Sequence, residues 1–439
     1  MKERVAKSFD IFANKLVQFS QERGRLSWWI FLFVLALTLV SITPFPGHSQ
    51  PAIAPSSMEP GERICQVEPT KEIRGVWLTN VDSDVLFSAA KMAEAIALLA
   101  KANFNTLYPT VWNWGYTLYP SEIAKSFTGL PLDPTEGLQG RDILAEMVEL
   151  GHDQGMSVIP WFEFGFMAPA DSTLAKAHPE WLTARQDGSV IWWEGKVHQR
   201  VWLNPLRPDV QQFMTDLLVE IVSNYDIDGI QLDDHFGYPS ELGYDDYTVK
   251  LYQAEHDGQS PPQDPLDPDW VRWRADKITD YVETLFHNLK EHNPNAIVSV
   301  APNPQEFSLN SFLLDWYRWE RKGLIEELVV QLYRDRNDAL IRELEQPEIL
   351  AAREHIPVGI GILSGLKGRP ISWGKIHQQV NIARRHGFAG ISFFFYESLW
   401  NLATESPEAR QTALKNLFDD QAQRPHVTDK ISNCEFSAS

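Results

Sequence analysis

Apolar and polar positions along this chain alternate between two periods. Eight short apolar runs, rich in β-branched and aromatic residues, lie at 73–80, 105–112, 157–164, 229–234, 296–302, 328–333, 358–363 and 390–396. Runs of this length read as buried strands. Between them lie stretches with a helical apolar stripe, among them 89–102, 143–154, 210–225 and 271–292. Gly155 and Gly387 follow two such stretches, where a helix C-terminus favours glycine. Eight alternating units predict an α/β fold of the closed (β/α)8 TIM-barrel type. An open doubly wound sheet is the other arrangement of such units, but no glycine-rich phosphate loop follows the first run.

The pattern changes at both ends. Residues 1–25 carry six cationic side chains against three acids, and 28–42 form an uncharged apolar run. This is the length of a signal-peptide core and short for a relaxed membrane span. A Pro/Ser-rich stretch follows. The expected organisation is therefore an N-terminal apolar signal or anchor segment over 1–43, a linker over 44–69, the barrel over 70–420 and a C-terminal tail over 421–439. Ala52-Ile53-Ala54 resembles a cleavage site, but Pro55 disfavours cutting there. The body is expected outside the cytoplasm, either released or held at the membrane by the uncut segment. Cys65 and Cys434 flank the barrel in no metal-binding spacing; a bridge between them would tie its two ends in an exported protein.

Composition narrows the chemistry. The chain has 439 residues and a net charge of -20, with no basic face evident, so no nucleic-acid partner is expected. Sixteen tryptophans add flat apolar faces of the kind that cover sugar rings, although Trp is also an ordinary core residue. No cofactor motif is read.

The fourth run, Asp228-Gly229-Ile230-Gln231-Leu232-Asp233-Asp234-His235, stops in two carboxylates and an imidazole. Strand alternation puts Ile230 and Leu232 on one side and Gln231 and Asp233 on the other. In a barrel the second set faces inward and ends at the mouth, where such folds carry their chemistry. Asp234 points the other way on a regular strand. It reads as a loop anchor, a partner of substrate hydroxyls or a helix cap. Further carboxyls at strand ends are Glu163, Asp335 and Glu397. Each could instead pair with an arginine and only hold the barrel together. Trp112, Asn113, Trp114, Trp161, Asn204, His235, Asn303 and Tyr333 could form a shelf for a polysaccharide or oligosaccharide, indoles covering ring faces while amides, phenol and imidazole meet hydroxyls. His235 beside two aspartates could also ligate a metal, but no second histidine stands in a supporting spacing, and no metal is expected.

Several stretches resemble, in order, the glycosyl-hydrolase-like family 10 proteins. They are Glu72 to Asn80, Tyr108-Pro109-Thr110-Val111-Trp112-Asn113, Pro160-Trp161-Phe162-Glu163-Phe164-Gly165, Val201-Trp202-Leu203-Asn204-Pro205, Asp228 to His235, Trp273-Arg274-Ala275-Asp276-Lys277-Ile278 and Ser392-Phe393-Phe394-Phe395-Tyr396-Glu397. The resemblance implies a glycosidase-type barrel; some relatives cleave peptidoglycan glycan strands stripped of their peptides. The order Gly229 to Asp233 also resembles the fourth strand of amylase-like barrels, where a closing Asp is the nucleophile. Gln231 stands where those barrels carry Arg, and a neutral amide holds a carboxylate ionised less well.

The expected activity is glycoside hydrolysis of an envelope or extracellular polysaccharide by two carboxyl groups. Asp233 would act as nucleophile or charge stabiliser, and Glu397, Glu163 or Asp335 as proton donor. The rival readings are a glycan-binding barrel without hydrolysis and a metal-dependent hydrolase such as a deacetylase.

Overall fold

The computed structural model describes residues 71–426. The expected signal or anchor segment, the linker, Cys65, Cys434 and the last thirteen residues lie outside them. Among the described residues no helix is long and apolar enough to cross a membrane.

The fold is α/β with one large parallel sheet. Its strands are β1 (Ile73–Leu78), β2 (Thr106–Pro109), β3, β4 (Gly229–Asp233), β5 (Ile297–Ala301), β6 (Glu327–Gln331), β7 (Val358–Leu363) and β8 (Gly390–Phe394). β3 consists of two pieces, Ser157–Val158 and Trp161–Phe162. The first pairs with β2 and the second with β4, so the order of the sheet begins and ends on one segment of chain. The Ile159 N–H reaches Leu107 on one side, and the Pro160 carbonyl receives Gln231 on the other. The sequence pattern predicts an unbroken run over 157–164. Pro160 has no N–H to give a ladder, and the strand changes partner there.

Helices follow the strands. Among them are α1 (Ala89–Lys101), α2 (Ile143–Asp153), α3 (Pro208–Asn224) and α4 (Pro268–His292). Ser88 caps α1, Asp142 caps α2, and Asp267 caps α4 with Pro268 at its first position. Each cap satisfies an orphan N–H, and Pro is harmless where no donor is needed. Ile230 and Leu232 enter the core with Phe213 and Leu217 of α3. Gln231 and Asp233 take the opposite, inner side.

That inner side holds a polar layer. Trp77 Nε1 donates to Gln231 at 2.7 Å, Gln231 to Ser299 at 3.0 Å, and Ser299 to Glu327 at 2.8 Å. Tyr108 also donates to Glu327, at 3.0 Å. Arg424 pairs with the other oxygen of Glu327, which is 1% exposed. The base of the sheet thus extends past the expected boundary at 420: the Glu72 N–H bonds Gln423, and Asn105 bonds Ala422. The sequence pattern misses this because residues 421–424 carry no apolar periodicity and attach through backbone carbonyls and one cation.

A buried carboxylate left without its cation is strongly destabilising. Arg424→Ala should lower unfolding free energy by roughly 3–5 kcal/mol, read as a lower midpoint in urea denaturation of the full chain. An unchanged midpoint would show that Glu327 needs no counter-charge.

Candidate active site

The C-terminal ends of β3, β4 and β6 converge on one pocket. Glu163 follows β3, Asp233 ends β4, and Gln331 ends β6. The pocket is lined by Glu163, Asp233, Asp234 and His235, and by Trp161, Phe164, Tyr333 and Phe394 as an aromatic wall.

Glu163 is 2% exposed. Its Oε2 accepts from Thr79 at 3.0 Å, Thr110 at 3.0 Å and Asn113 at 2.8 Å. Among the described residues its Oε1 has no hydrogen-bond partner. Burial raises this carboxyl to about 7, against the pull of Thr110, Thr79, the His235 charge and Asn113. At neutral pH Glu163 is therefore poised between acid and carboxylate, with one oxygen saturated and the other able to carry a proton.

Asp233 Oδ1 accepts from the Asp234 N–H at 2.7 Å and Gln331 Nε2 at 2.6 Å. Asp234 Oδ2 accepts from Asn303 at 2.5 Å. The His235 Nδ1 lies 3.1 Å from Asp234 and 3.6 Å from Asp233. Burial, then the adjacent Asp234 charge, push Asp233 well above the usual carboxylate range, while His235 pulls it back. Burial alone would lower His235, but Asp234 and Asp233 outweigh it and raise the imidazole to about 9. The two aspartates thus face an imidazolium at neutral pH.

Gly165 holds these strand ends together. Its φ is +46°, and a Cβ there would meet the His235 carbonyl oxygen at 2.3 Å. The close approach lets Phe166 N–H bond His235 O at 3.0 Å and Trp112 Nε1 bond Gly165 O at 2.8 Å. A side chain at Gly165 would separate β3 from β4.

Asp233, Asp234 and His235 offer oxygen and nitrogen atoms all within 4.8 Å of one another, close enough to hold a cation. The His235 Nδ1 is also 2.9 Å from the Glu163 carbonyl, which can only accept. Nδ1 therefore carries a hydrogen, and through it the imidazole meets the two aspartates as an ion pair.

Of the expected residues, the structure brings Glu163, Asp233, Asp234, His235, Trp161 and Tyr333 to the pocket and sets Asn113 and Asn303 behind it as donors to Glu163 and Asp234. It does not bring the others. Asp335 lies beyond the end of β6 and pairs with Arg369 at 2.7 Å and Lys375 at 3.3 Å, 42% exposed. Glu397 sits in a short helix, Tyr396–Leu399, that begins where the expected strand should have continued. Its carboxylate accepts from Ser83 and Asn401 and lines another cavity. Asn204 is fully buried and commits its amide to Asp245, Thr248 and the Leu206 N–H, pinning the loop after β4. Trp112 is fully buried and stacks on Phe162. Trp114 packs partly buried against the core from the turn between Trp112–Asn113 and Tyr116–Thr117.

Several contributors to the pocket were given no role from the sequence. Thr79 and Thr110 continue the inward parity of Trp77 and Tyr108 one step past each strand, so alternation could have found them. Gln331 shares its inward parity with Tyr333. Glu194 had no such signal. It arrives on an antiparallel sheet of Met167–Pro169, His198–Trp202 and Trp192–Glu194 within the long loop after β3, paired with Arg200 at 2.7 Å.

Residues 72–382 match the family described as Glycosyl hydrolase-like 10. The chain belongs to this family. The match agrees with the resemblance read from the strand-end motifs. The chain is 24% identical over 341 residues to Glycosyl hydrolase DigH of Escherichia coli strain K12, covering 69% of this chain and 74% of that one. It is 23% identical over 260 residues to Glycosyl hydrolase YngK of Bacillus subtilis strain 168, covering 54% and 46%. In fold it is similar to the PgaB (BpsB) glycoside hydrolase domain from Bordetella bronchiseptica, with a TM-score of 0.56 and 12% identity, over 77% of this chain and all of that one. These likenesses make it a carbohydrate hydrolase-like protein of the α/β class.

The Glu163 environment has a direct readout. Carboxyl chemical shifts of glutamate-labelled protein should show one residue, absent from Glu163→Gln, titrating near 7. Ordinary carboxylate titration at that position would mean that water reaches the group.

Proposed function

We propose that this family member is a glycoside hydrolase on a (β/α)8 barrel, cutting an envelope or extracellular polysaccharide, with denuded peptidoglycan strands as the first substrate to try. One observation carries the reading: Glu163 and Asp233 line the same buried pocket, and among the described residues Glu163 keeps an unpartnered oxygen there. Glycosidic cleavage commonly needs one carboxyl to protonate the leaving oxygen and another to attack the anomeric carbon or activate water. Glu163, held near neutrality by burial, suits the proton donor. Asp233, facing the His235 imidazolium, suits the nucleophile or general base. Its raised pKa makes the ionised form the stronger base. Asp234 sets the His235 charge, and Gln331 fixes the Asp233 rotamer. Trp161 and Tyr333 offer ring faces beside the carboxyls.

The apolar segment before the barrel and the envelope substrate of this reading belong together. We place the barrel outside the cytoplasm, its N-terminal segment serving as signal or membrane anchor. Residues 1–70 fused to a reporter active only after export should give signal, and a reporter active only in the cytoplasm would oppose the envelope assignment.

The grouping of Asp233, Asp234 and His235 favours one second reading, a metal-dependent hydrolase. A chelator separates the two. The glycosidase keeps its rate, whereas a metal-dependent hydrolase loses it and regains it with a divalent ion.

A glycan panel including denuded strands, with products read by mass spectrometry, should show turnover. Asp233→Asn should cut turnover at least ~100-fold while folding and glycan affinity hold, as expected when a transition-state interaction is lost. Turnover close to wild type would exclude Asp233 from the chemistry. Activity should fall as pH rises through about 7, because the donor must be protonated and Glu163 loses its proton there. In Glu163→Gln the residual rate should lack the alkaline fall; a wild-type profile in that variant would assign the donor elsewhere.

A further inference from the structure

Glu397 lies in a polar cavity of about 300 Å³ on the barrel face, lined also by Asp84, Lys91, Glu94, Tyr396, Trp400 and Asn401. That volume is at the lower end of roughly 300–1,000 Å³ for ligand clefts. Leu366 and Phe394 line both the catalytic pocket and a small hollow with Val81, Asp82 and Phe395. Asp84 and Tyr396, one or two residues further along each segment, line the cavity. The same two segments, at the ends of β8 and β1, therefore line both the hollow and the cavity.

The lining has a consistent chemistry. Trp400 is 3% exposed, and its Nε1–H has no acceptor among the described residues. A buried indole N–H normally finds a partner. The Tyr396 ring meets Trp400 edge-on, with centroids 6.2 Å apart. Glu397 is 7% exposed, and its oxygens receive Ser83 at 3.0 Å and Asn401 at 2.6 Å. Each carboxylate oxygen has two lone-pair sites, so each keeps one for a further donor. Asp84 and Glu94 add acceptors, and Lys91 already pairs with Asp84. Three acids against one lysine disfavour an anionic guest. Ring faces, an unmatched N–H donor and spare carboxylate acceptors together match the mixed hydroxyls of a neutral sugar.

We infer that the Glu397 cavity is a second, non-cleaving subsite that seats an uncharged pyranose residue of the same glycan chain cut at Glu163 and Asp233. The inference rests on the glycoside hydrolase reading. Glu397, read from sequence as a proton donor, instead holds hydroxyls of a remote sugar. A glycan long enough to fill both sites gains affinity that a short one cannot.

The test uses the full chain carrying Asp233→Asn, which binds without cutting. Chito-, cello- and xylo-oligosaccharides of two to eight residues are titrated by calorimetry, with and without Trp400→Phe or Glu397→Gln. Trp400→Phe keeps an aromatic ring and removes the N–H. Glu397→Gln keeps the shape and remains informative if the first variant does not fold. For the series that binds, affinity for six residues and longer should drop about tenfold in either variant, the value of one good hydrogen bond. Affinity for two residues should not change. Equal losses at all lengths, no loss at any length, or no binding of uncharged oligosaccharides would overturn the subsite. Failure of the hydrolase reading looks different: the glycan panel shows no turnover by wild type, whatever the cavity variants do to binding.

Discussion

Desolvation of carboxylates is the constraint on which the rest of the structure depends. Glu163, Asp233 and Asp234 are each at most 3% exposed, beside an aromatic wall. Ions removed from water must be compensated by partners, or they give up their charge. Asp233 and Asp234 are compensated by His235, Gln331, Asn303 and a backbone N–H. Glu163 is satisfied on one oxygen only, by two threonines and an asparagine. This asymmetry separates the groups into one carboxyl ready to hold a proton and another held opposite a cation.

The scaffold follows from that need. Thr79, Thr110 and Asn113 must reach Glu163 from the ends of β1 and β2, so the strands must be in register to within a hydrogen bond. Gly165 allows β3 and β4 to close at their ends, and the switch of partner at Pro160 joins β2 to β4 across β3. Beneath the site the layer from Trp77 through Gln231 and Ser299 to Glu327 fills the interior with satisfied polar groups, and Arg424 supplies the charge that layer lacks. On the outside, Arg274 of α4 is fully buried and donates to carbonyls of Ser240, Leu242 and Pro265. With Asn204 it fastens the loop after β4, leaving the mouth walled.

Much of this was legible in the sequence. Period-two alternation assigned Gln231 and Asp233 to the inner side, and the strand-end motifs pointed to the family. The fourth strand was readable because its polar and apolar residues separate cleanly. Two of the expected carboxyls were not. Glu397 and Asp335 follow apolar runs as Glu163 does, but what lies after a strand is decided by the loop. One chain turns into a helix at Tyr396, and the other bends to Arg369 and Lys375. Tryptophan and asparagine misled for a related reason: Trp112 and Asn204 stand in motifs beside the site but serve packing and loop anchoring. Glu194 reaches the pocket on a hairpin whose docking has no local signature.

The most direct measurement is a crystal structure of Asp233→Asn protein soaked with an intact oligosaccharide from the glycan it turns over. The account predicts a glycosidic oxygen within hydrogen-bond distance of Glu163 Oε1, the anomeric carbon facing residue 233, and a sugar face against Trp161 or Tyr333. A chain bound with Glu163 Oε1 still unpartnered, or with its glycosidic oxygen held by another acid, would contradict it.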